Sequence, residues 1–227
     1  HRGCALRRLM PPFVEPVRTN LFVRSQEFDN AAWTKAPGSA VAVADATAAP
    51  GGTMTAEKFV EGTTSTTHFL SQAVSFVSGT AYAVSYHVKA AERTFARIEF
   101  NVAAFSSNPR ANFNLATGAL ASSAGTAAWS IEALGDGWQR IAGIATATAT
   151  ASSVVALMHF NGTTQSYLGD GASGIYAWGA QCEAGAFVSS YVPTTSAAVT
   201  RYPPTLPQAP RRDGLRTDLV RSPLRAA

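Results

Sequence analysis

Only two cysteines occur in 227 residues, Cys4 and Cys182, and they lie at opposite ends of the chain. Neither a disulfide framework nor a clustered zinc site is built from that, so both are read as unpaired thiols. Charge is scarce as well, at 14% Asp, Glu, Lys and Arg, and no run of about 18 apolar residues exists to cross a membrane as a helix. The first ten residues carry no apolar stretch of the secretory kind. The chain does not begin with methionine, and the expectation is a fragment or a product that starts at Met10. The sequence contains no G-x-S-x-G elbow, no Walker loop and no H-E-x-x-H pair, and its four histidines, His1, His68, His87 and His159, lack metal-ligand spacing. No local motif supports catalysis, and a non-enzymatic protein is expected.

The formal net charge of +4 is carried by the ends. Residues 1–20 hold four arginines against one glutamate, and residues 201–227 hold six arginines against two aspartates, which leaves residues 21–200 at a net −3. A nucleic-acid-binding domain sets Lys and Arg along one face of the fold with aromatics between them. That footprint is absent here, and no nucleic-acid partner is expected.

A sustained 3.6-residue period is also lacking between residues 39 and 184; apolar and polar residues alternate instead, the mark of an all-β domain. Tyr82, Val84, Tyr86 and Val88 alternate with Ala83, Ser85, His87 and Lys89. Ala96, Ile98, Phe100 and Val102 follow, then Ala111, Phe113 and Leu115. Further strands are predicted near 53–60, 67–77, 128–134, 138–148, 153–160 and 173–183, divided by Ala-Pro-Gly-Gly, Ser-Gly, Thr-Gly, Gly-Asp-Gly and Asn-Gly turns. About ten strands so spaced predict a two-sheet β-sandwich or jelly roll. The organisation expected is an arm over 1–18, the sandwich over 19–196 and a Pro/Arg-rich tail over 197–227. The tail has five prolines from residue 201 onward and little apolar surface, so it orders only on a partner. Ser25–Trp33 reads as a short helical turn capped by Ser25, with Phe28 and Trp33 tucked beneath the sandwich. Ala145–Ala151 reads as an exposed strand or strand edge, and strict alternation puts Tyr176, Trp178, Ala180 and Cys182 on one core-facing side of the last strand.

Gly169–Gly174 matches G-x-G-x-x-G, but a strand rather than a helix follows, so the glycines are assigned to a turn. Asn161-Gly162-Thr163 has the form of a glycosylation sequon and is also read as a turn. The carboxylate pairs Glu92 with Glu99 and Glu132 with Asp136 have the composition for glycoside hydrolysis but no fixed spacing; a solvated face is the plainer account. Trp33, Trp138 and Trp178 are assigned to structure, whereas Trp129, flanked by small and polar residues, is a candidate sugar-stacking platform. The polar strand faces offer His87, Lys89, Arg97, Glu99, Asn101, Asn112 and Asn114 as candidate groove residues for a glycan; the plainer account is an ordinary wet sheet face.

Several segments together resemble a known pattern: Asn20-Leu21 with Ser25 and Phe28–Trp33, Ala49–Thr53, Tyr86–Ala90, Phe113–Leu115 with Thr117-Gly118, and Gly137–Arg140. Tyr167 with Gly169–Gly171, and Trp178–Glu183 with Ser190–Thr194, continue it in the same order. Over residues 19–195 the chain is similar to the carbohydrate-binding-module-like jelly roll of phage and prophage appendage proteins. The resemblance implies a lectin-like module on the surface of a virion or phage-derived particle, touching host surface polysaccharide. Its partners would be other virion proteins held through the tails, in a homo-oligomer with a trimer as one option. The rival expectation is a purely structural decoration or spike component, and a polysaccharide hydrolase or lyase is a third. The resemblance also implies a structural calcium, for which Asp29 and Glu183 are the candidate oxygen ligands.

Overall fold

A strand with one apolar face must bury that face against a second layer, and the computed structural model shows how this chain does so over residues 15–36 and 40–203, the part it describes. In chain order the strands are β1 (Arg18–Asn20), β2 (Thr34–Lys35), β3 (Ala40–Thr47), β4 (Ala56–Val60), β5 (Ser65–Thr67), β6 (Phe69–Phe76), β7 (Ala81–Ala90) and β8 (Phe95–Phe100). They continue as β9 (Arg110–Asn114), β10 (Ala119–Ala124), β11 (Ala128–Gly135), β12 (Trp138–Thr146), β13 (Ala151–His159), β14 (Ser166–Leu168), β15 (Gly174–Ala184) and β16 (Val199–Arg201). No helix occurs among the described residues. One six-stranded sheet runs β10-β9-β8-β13-β6-β2 and the other β11-β12-β7-β15-β4-β3, with two-stranded ribbons β1-β16 and β14-β5 beside them. From β6 onward the chain switches sheets at β7, β8, β11, β13 and β15, so the all-β sandwich is jelly-roll-like.

The core lies between the sheets. Val84, Tyr86 and Val88 of β7 and Ile141 of β12 face Ile98 and Phe100 of β8, Phe113 of β9, and Val155 and Leu157 of β13. Val102 is the exception to the predicted alternation. At 59% exposed it lies past the end of β8, where Asn101 Oδ1 accepts from Ala103 N and turns the chain. His159 is a neutral core residue, stacked on Phe59 at 4.1 Å, and burial pushes its pKa down to about 3.

The last strand departs from strict alternation. Opposite β7, an extra residue enters β15 between Trp178 and Gln181, and Gly179 takes φ of 59° there. This β-bulge flips the pattern. Ile175, Ala177, Ala180 and Cys182 face the main core, while Tyr176 and Trp178 lie on the outer surface with Trp138, Ala49 and Ala56. Trp178 therefore does not share a face with Cys182. A Cβ at position 179 would sit 2.7 Å from His87 Nδ1, so glycine is needed for both backbone angle and space.

Buried Asn20 locks this bulge. Its Nδ2 donates to Ala180 O at 3.0 Å and Val192 O at 2.8 Å, while its Oδ1 accepts from Phe22 N at 3.2 Å and Cys182 N at 3.0 Å. Ser25 completes the clasp through Tyr191 Oη at 2.6 Å and Thr194 N at 2.9 Å. It caps no helix. The 24–33 segment is a series of turns in which Glu27 N, Asn30 N and Trp33 N each reach back three residues, although Phe28 and Trp33 are buried as expected. The Ala-Thr tract is likewise only partly strand. Pairing ends at Thr146 and resumes at Ala151, and Thr148 and Thr150 instead bond the neighbouring loops at Ser106 N and Ser78 N.

At one end of the sandwich Glu61 is fully buried. It accepts from Arg93 Nε at 2.7 Å and Nη2 at 2.5 Å, from Tyr167 Oη at 2.7 Å and from Asp170 N at 3.0 Å. The G-x-G-x-x-G segment forms the adjoining turn: Asp170 accepts from Ala172 N, Ser173 N and Ser173 Oγ, and β15 begins at Gly174. β1 pairs with β16, so residues 199–201, beyond the expected end of the sandwich, are tied to its start. The expected arm up to residue 14, with Cys4 and Met10, and the tail from residue 204 lie outside the described residues.

Candidate functional site

The two outer faces differ. That of the β7-containing sheet is covered: Trp138 Nε1 donates to Ala48 O at 3.0 Å, Trp178 Nε1 to Thr55 Oγ1 at 3.0 Å, and Tyr191 packs on Trp178 at 4.8 Å. His87 lies beneath this cover, its Nδ1 3.1 Å from Gly179 O; burial, with Arg140 nearby, pushes its pKa down to about 4. Lys89 lies against Gly137 on the same sheet. His87 and Lys89 are therefore separated from the other groove candidates.

The outer face of the β8-containing sheet is hollowed, although Ser71, Arg97, Asn112 and Met158 on it are themselves buried. Its register sets Phe69, Met158, Arg97, Asn112 and Ser122 in one row across five strands, and Ser71, Ala156, Glu99 and Arg110 in the next. Five strands at about 4.8 Å spacing span roughly 19 Å. The polar half of this face is a groove of about 560 Å³, walled on one side by Thr163, Thr164 and Gln165 of the β13–β14 loop. Beyond Glu99 and Gln165 lies a smaller hollow of about 250 Å³ lined by Phe69, Val154, Ala156 and Met158, with Asn101 also in its lining.

Within the groove Arg97 Nε lies 3.3 Å from Glu99 Oε2, and Arg97 Nη1 donates to Gln165 Oε1. Glu99 Oε1 accepts from Asn108 Nδ2 at 3.1 Å, and Asn112 Nδ2 donates to Ser122 Oγ at 2.8 Å. Asn112 Oδ1, like Arg97 Nε and Glu99 Oε2, is buried with no hydrogen-bond partner among the described residues. A buried group left in that way costs stability. The structure thus brings Arg97, Glu99 and Asn112 together, with Asn101 adjoining. Asn114 is on the same strand face but spends its Oδ1 on Ala116 N and Thr117 N in the β9–β10 turn. Trp129 is turned into the sandwich, against Phe100 at 5.9 Å and Phe113 at 6.3 Å, and its indole passes so close over Gly143 that a Cβ there would clash. Arg110, Ser122, Gln165 and Met158 were missed in the sequence. Residue-by-residue alternation marks strand faces, but only the register shows which strands are neighbours.

The candidate calcium ligands are not assembled. Both oxygens of Glu183 are engaged, Oε1 by Gln181 Nε2 and Ser189 N, and Oε2 by Ser189 Oγ and Arg18 Nε. Asp29 instead lies beside Glu57, and no group of three or more His, Cys, Asp or Glu among the described residues is placed to hold a metal. Glu92 and Glu99 pair with different cations, Lys58 and Arg97, and Glu132 and Asp136 are exposed in the β11–β12 hairpin.

Burial, and then the adjoining Asp29 carboxylate, push the Glu57 carboxyl up to about 8. A carboxyl whose pKa is higher folded than unfolded stabilises the fold fully below its ordinary value near 4.5, and that contribution is lost as pH rises through 8. Denaturant midpoints of the parent should therefore fall between pH 6 and 9, and those of Glu57→Gln should fall less. Parallel declines in the two proteins would show that Glu57 ionises normally.

No protein-family model matches the chain, and no curated protein is similar to it at a significant level.

Proposed function

We propose that this is a non-catalytic glycan-binding domain of a surface or appendage protein on a phage-like particle, with the hollowed outer face of the β8-containing sheet as its sugar-contacting surface. The observation that carries the binding reading is the pairing of a donor- and acceptor-rich groove with an adjoining hollow of mixed polarity that takes in Phe69 and Met158. A pyranose has hydroxyls for the first and a C–H face for the second. The virion setting is supported by the ordered resemblance over residues 19–195, and the basic segments at the two ends suit docking to acidic surfaces of neighbouring particle proteins.

A purely structural role is favoured by a different observation. The segments that carry the resemblance most strongly, Trp178–Glu183 and Ser190–Thr194, build the bulge and the clasp on Asn20 and Ser25 rather than the groove. Exposed sugars keep many water contacts, so a single site is expected to be weak and many copies on one particle strong. Full-length protein displayed densely on beads should retain host surface polysaccharide on a glycan array where the free monomer binds marginally. Ser122→Trp, which places an indole over the groove from an exposed position, should abolish retention, whereas Ser122→Ala, which loses the same bond from Asn112 without adding bulk, should keep it. Retention unchanged by Ser122→Trp would move the site elsewhere, and no retention of any glycan would leave the structural reading.

A further inference from the structure

The groove is positive on a body that is not. Residues 21–200 carry a net −3, yet the ionisable side chains lining the groove are Arg97, Arg110 and a single acid, Glu99. That acid is spent: Oε1 accepts from Asn108, and Oε2 forms the ion pair with Arg97. Arg110 lies directly across the ladder from Glu99 but has no carboxylate partner among the described residues. Among the described residues its side chain makes one hydrogen bond, from Nη1 to Asn108 O at 3.2 Å, which leaves most of a five-donor fork available. Arg110 is half-buried, so its charge acts in a less screened setting than a surface lysine would.

Resting on the glycan-binding reading above, we infer that the groove selects an acidic polysaccharide, with a sugar carboxylate of the uronic-acid type seated on the Arg110 guanidinium. A carboxylate matches the fork with two parallel N–H···O bonds. It also offsets a smaller repulsion, because burial chiefly, and Arg110 after it, disfavour the charged form of the neighbouring Arg97. Sugars further along the polymer then lie over the Met158 and Phe69 side of the row.

The arginines near both chain ends attract any polyanion, so the informative quantity is the difference between parent and variant in the full-length chain. Binding is measured on polygalacturonate, alginate and hyaluronate, each beside its carboxyl-reduced neutral counterpart, with dextran sulfate as a polyanion lacking carboxylates. The parent should prefer at least one acidic polymer over its reduced form by about tenfold or more, the scale of one hydrogen-bonded charge pair. Arg110→Gln should erase that preference while leaving dextran sulfate binding and the melting temperature unchanged. If acidic and reduced polymers bind alike, or if Arg110→Gln keeps the preference, the acidic-sugar inference fails while sugar binding by the domain stands. If the parent binds no polymer of the panel better than Arg110→Gln and Ser122→Trp do, the inference and the glycan-binding reading fall together. Equal losses on dextran sulfate and on the uronates would assign Arg110 to general polyanion attraction and overturn the carboxylate site.

Discussion

Asn20→Ala should cost the domain about 3–5 kcal/mol, more than any surface substitution in the groove. The substitution leaves two carbonyls, Ala180 O and Val192 O, and two amides, Phe22 N and Cys182 N, without the partner that Asn20 provides. Each buried polar group so orphaned costs about 1–3 kcal/mol, and local relaxation recovers only part of the total. The affected groups belong to the first strand, the bulge of β15 and the exit path, so the variant should also lose protection of those amides in hydrogen exchange. Asn20→Asp keeps the acceptor and should lose less at low pH, where its carboxyl is protonated. A loss below about 1 kcal/mol for the alanine variant, by urea unfolding, would mean that the clasp is redundant.

Arg93→Ala is expected to cost about 3 kcal/mol at pH 7, near the lower end for breaking a buried ion pair because the Arg93 side chain is itself 29% exposed. Burial alone pushes the Glu61 carboxyl up, but bonds from Arg93, Tyr167 and Asp170 together outweigh it and hold the pKa below its ordinary 4.5. In the parent that stabilisation is present above the ordinary value and is lost as pH falls through the lower folded one. Without Arg93 the burial effect dominates, and the variant does best where Glu61 is protonated. The stability gap between parent and variant should therefore shrink from pH 7 to pH 4. A gap constant across that range would mean that Glu61 stays hydrated and charged after Arg93 is removed.

The parts of the fold that were legible in the sequence are those where alternation meets a full core. β7, β8 and β13 place large apolar residues at alternate positions, and pairing with both a neighbouring strand and an opposing sheet leaves one register. β10, Ala-Leu-Ala-Ser-Ser-Ala, gave no such signal because all six residues are exposed and none of them contributes to the core. The bulge in β15 escaped for another reason. Glycine at 179 marks it only after one knows that Ala180, rather than Trp178, faces the core. The Ser25–Trp33 segment shows that apolar spacing can record burial while misreporting backbone: Phe28 and Trp33 contact at 5.0 Å in the interior, but turns rather than a helix bring them there. As for the groove, Arg97, Glu99 and Asn112 were identifiable as polar outward residues, whereas separating them from His87 and Lys89 required knowing that β7 and β8 belong to opposite sheets. Arg110 drew no notice because its importance lies in a missing partner, a property of three dimensions.

The β1–β16 ribbon also sets how the domain carries mechanical load. Arg18 and Arg201 are directly opposed, Thr19 Oγ1 meets Thr200 Oγ1 at 2.7 Å, and Glu15 is joined to both Arg201 and Ser190. The two chain ends thus leave the sandwich a few ångströms apart. Tension that draws the two ends apart peels the ribbon one residue pair at a time, a weak direction. Tension that draws both ends together away from the body instead pulls β1 along β15, where Leu21 N bonds Cys182 O at 2.7 Å and Asn20 bridges the bulge, so several bonds must yield at once.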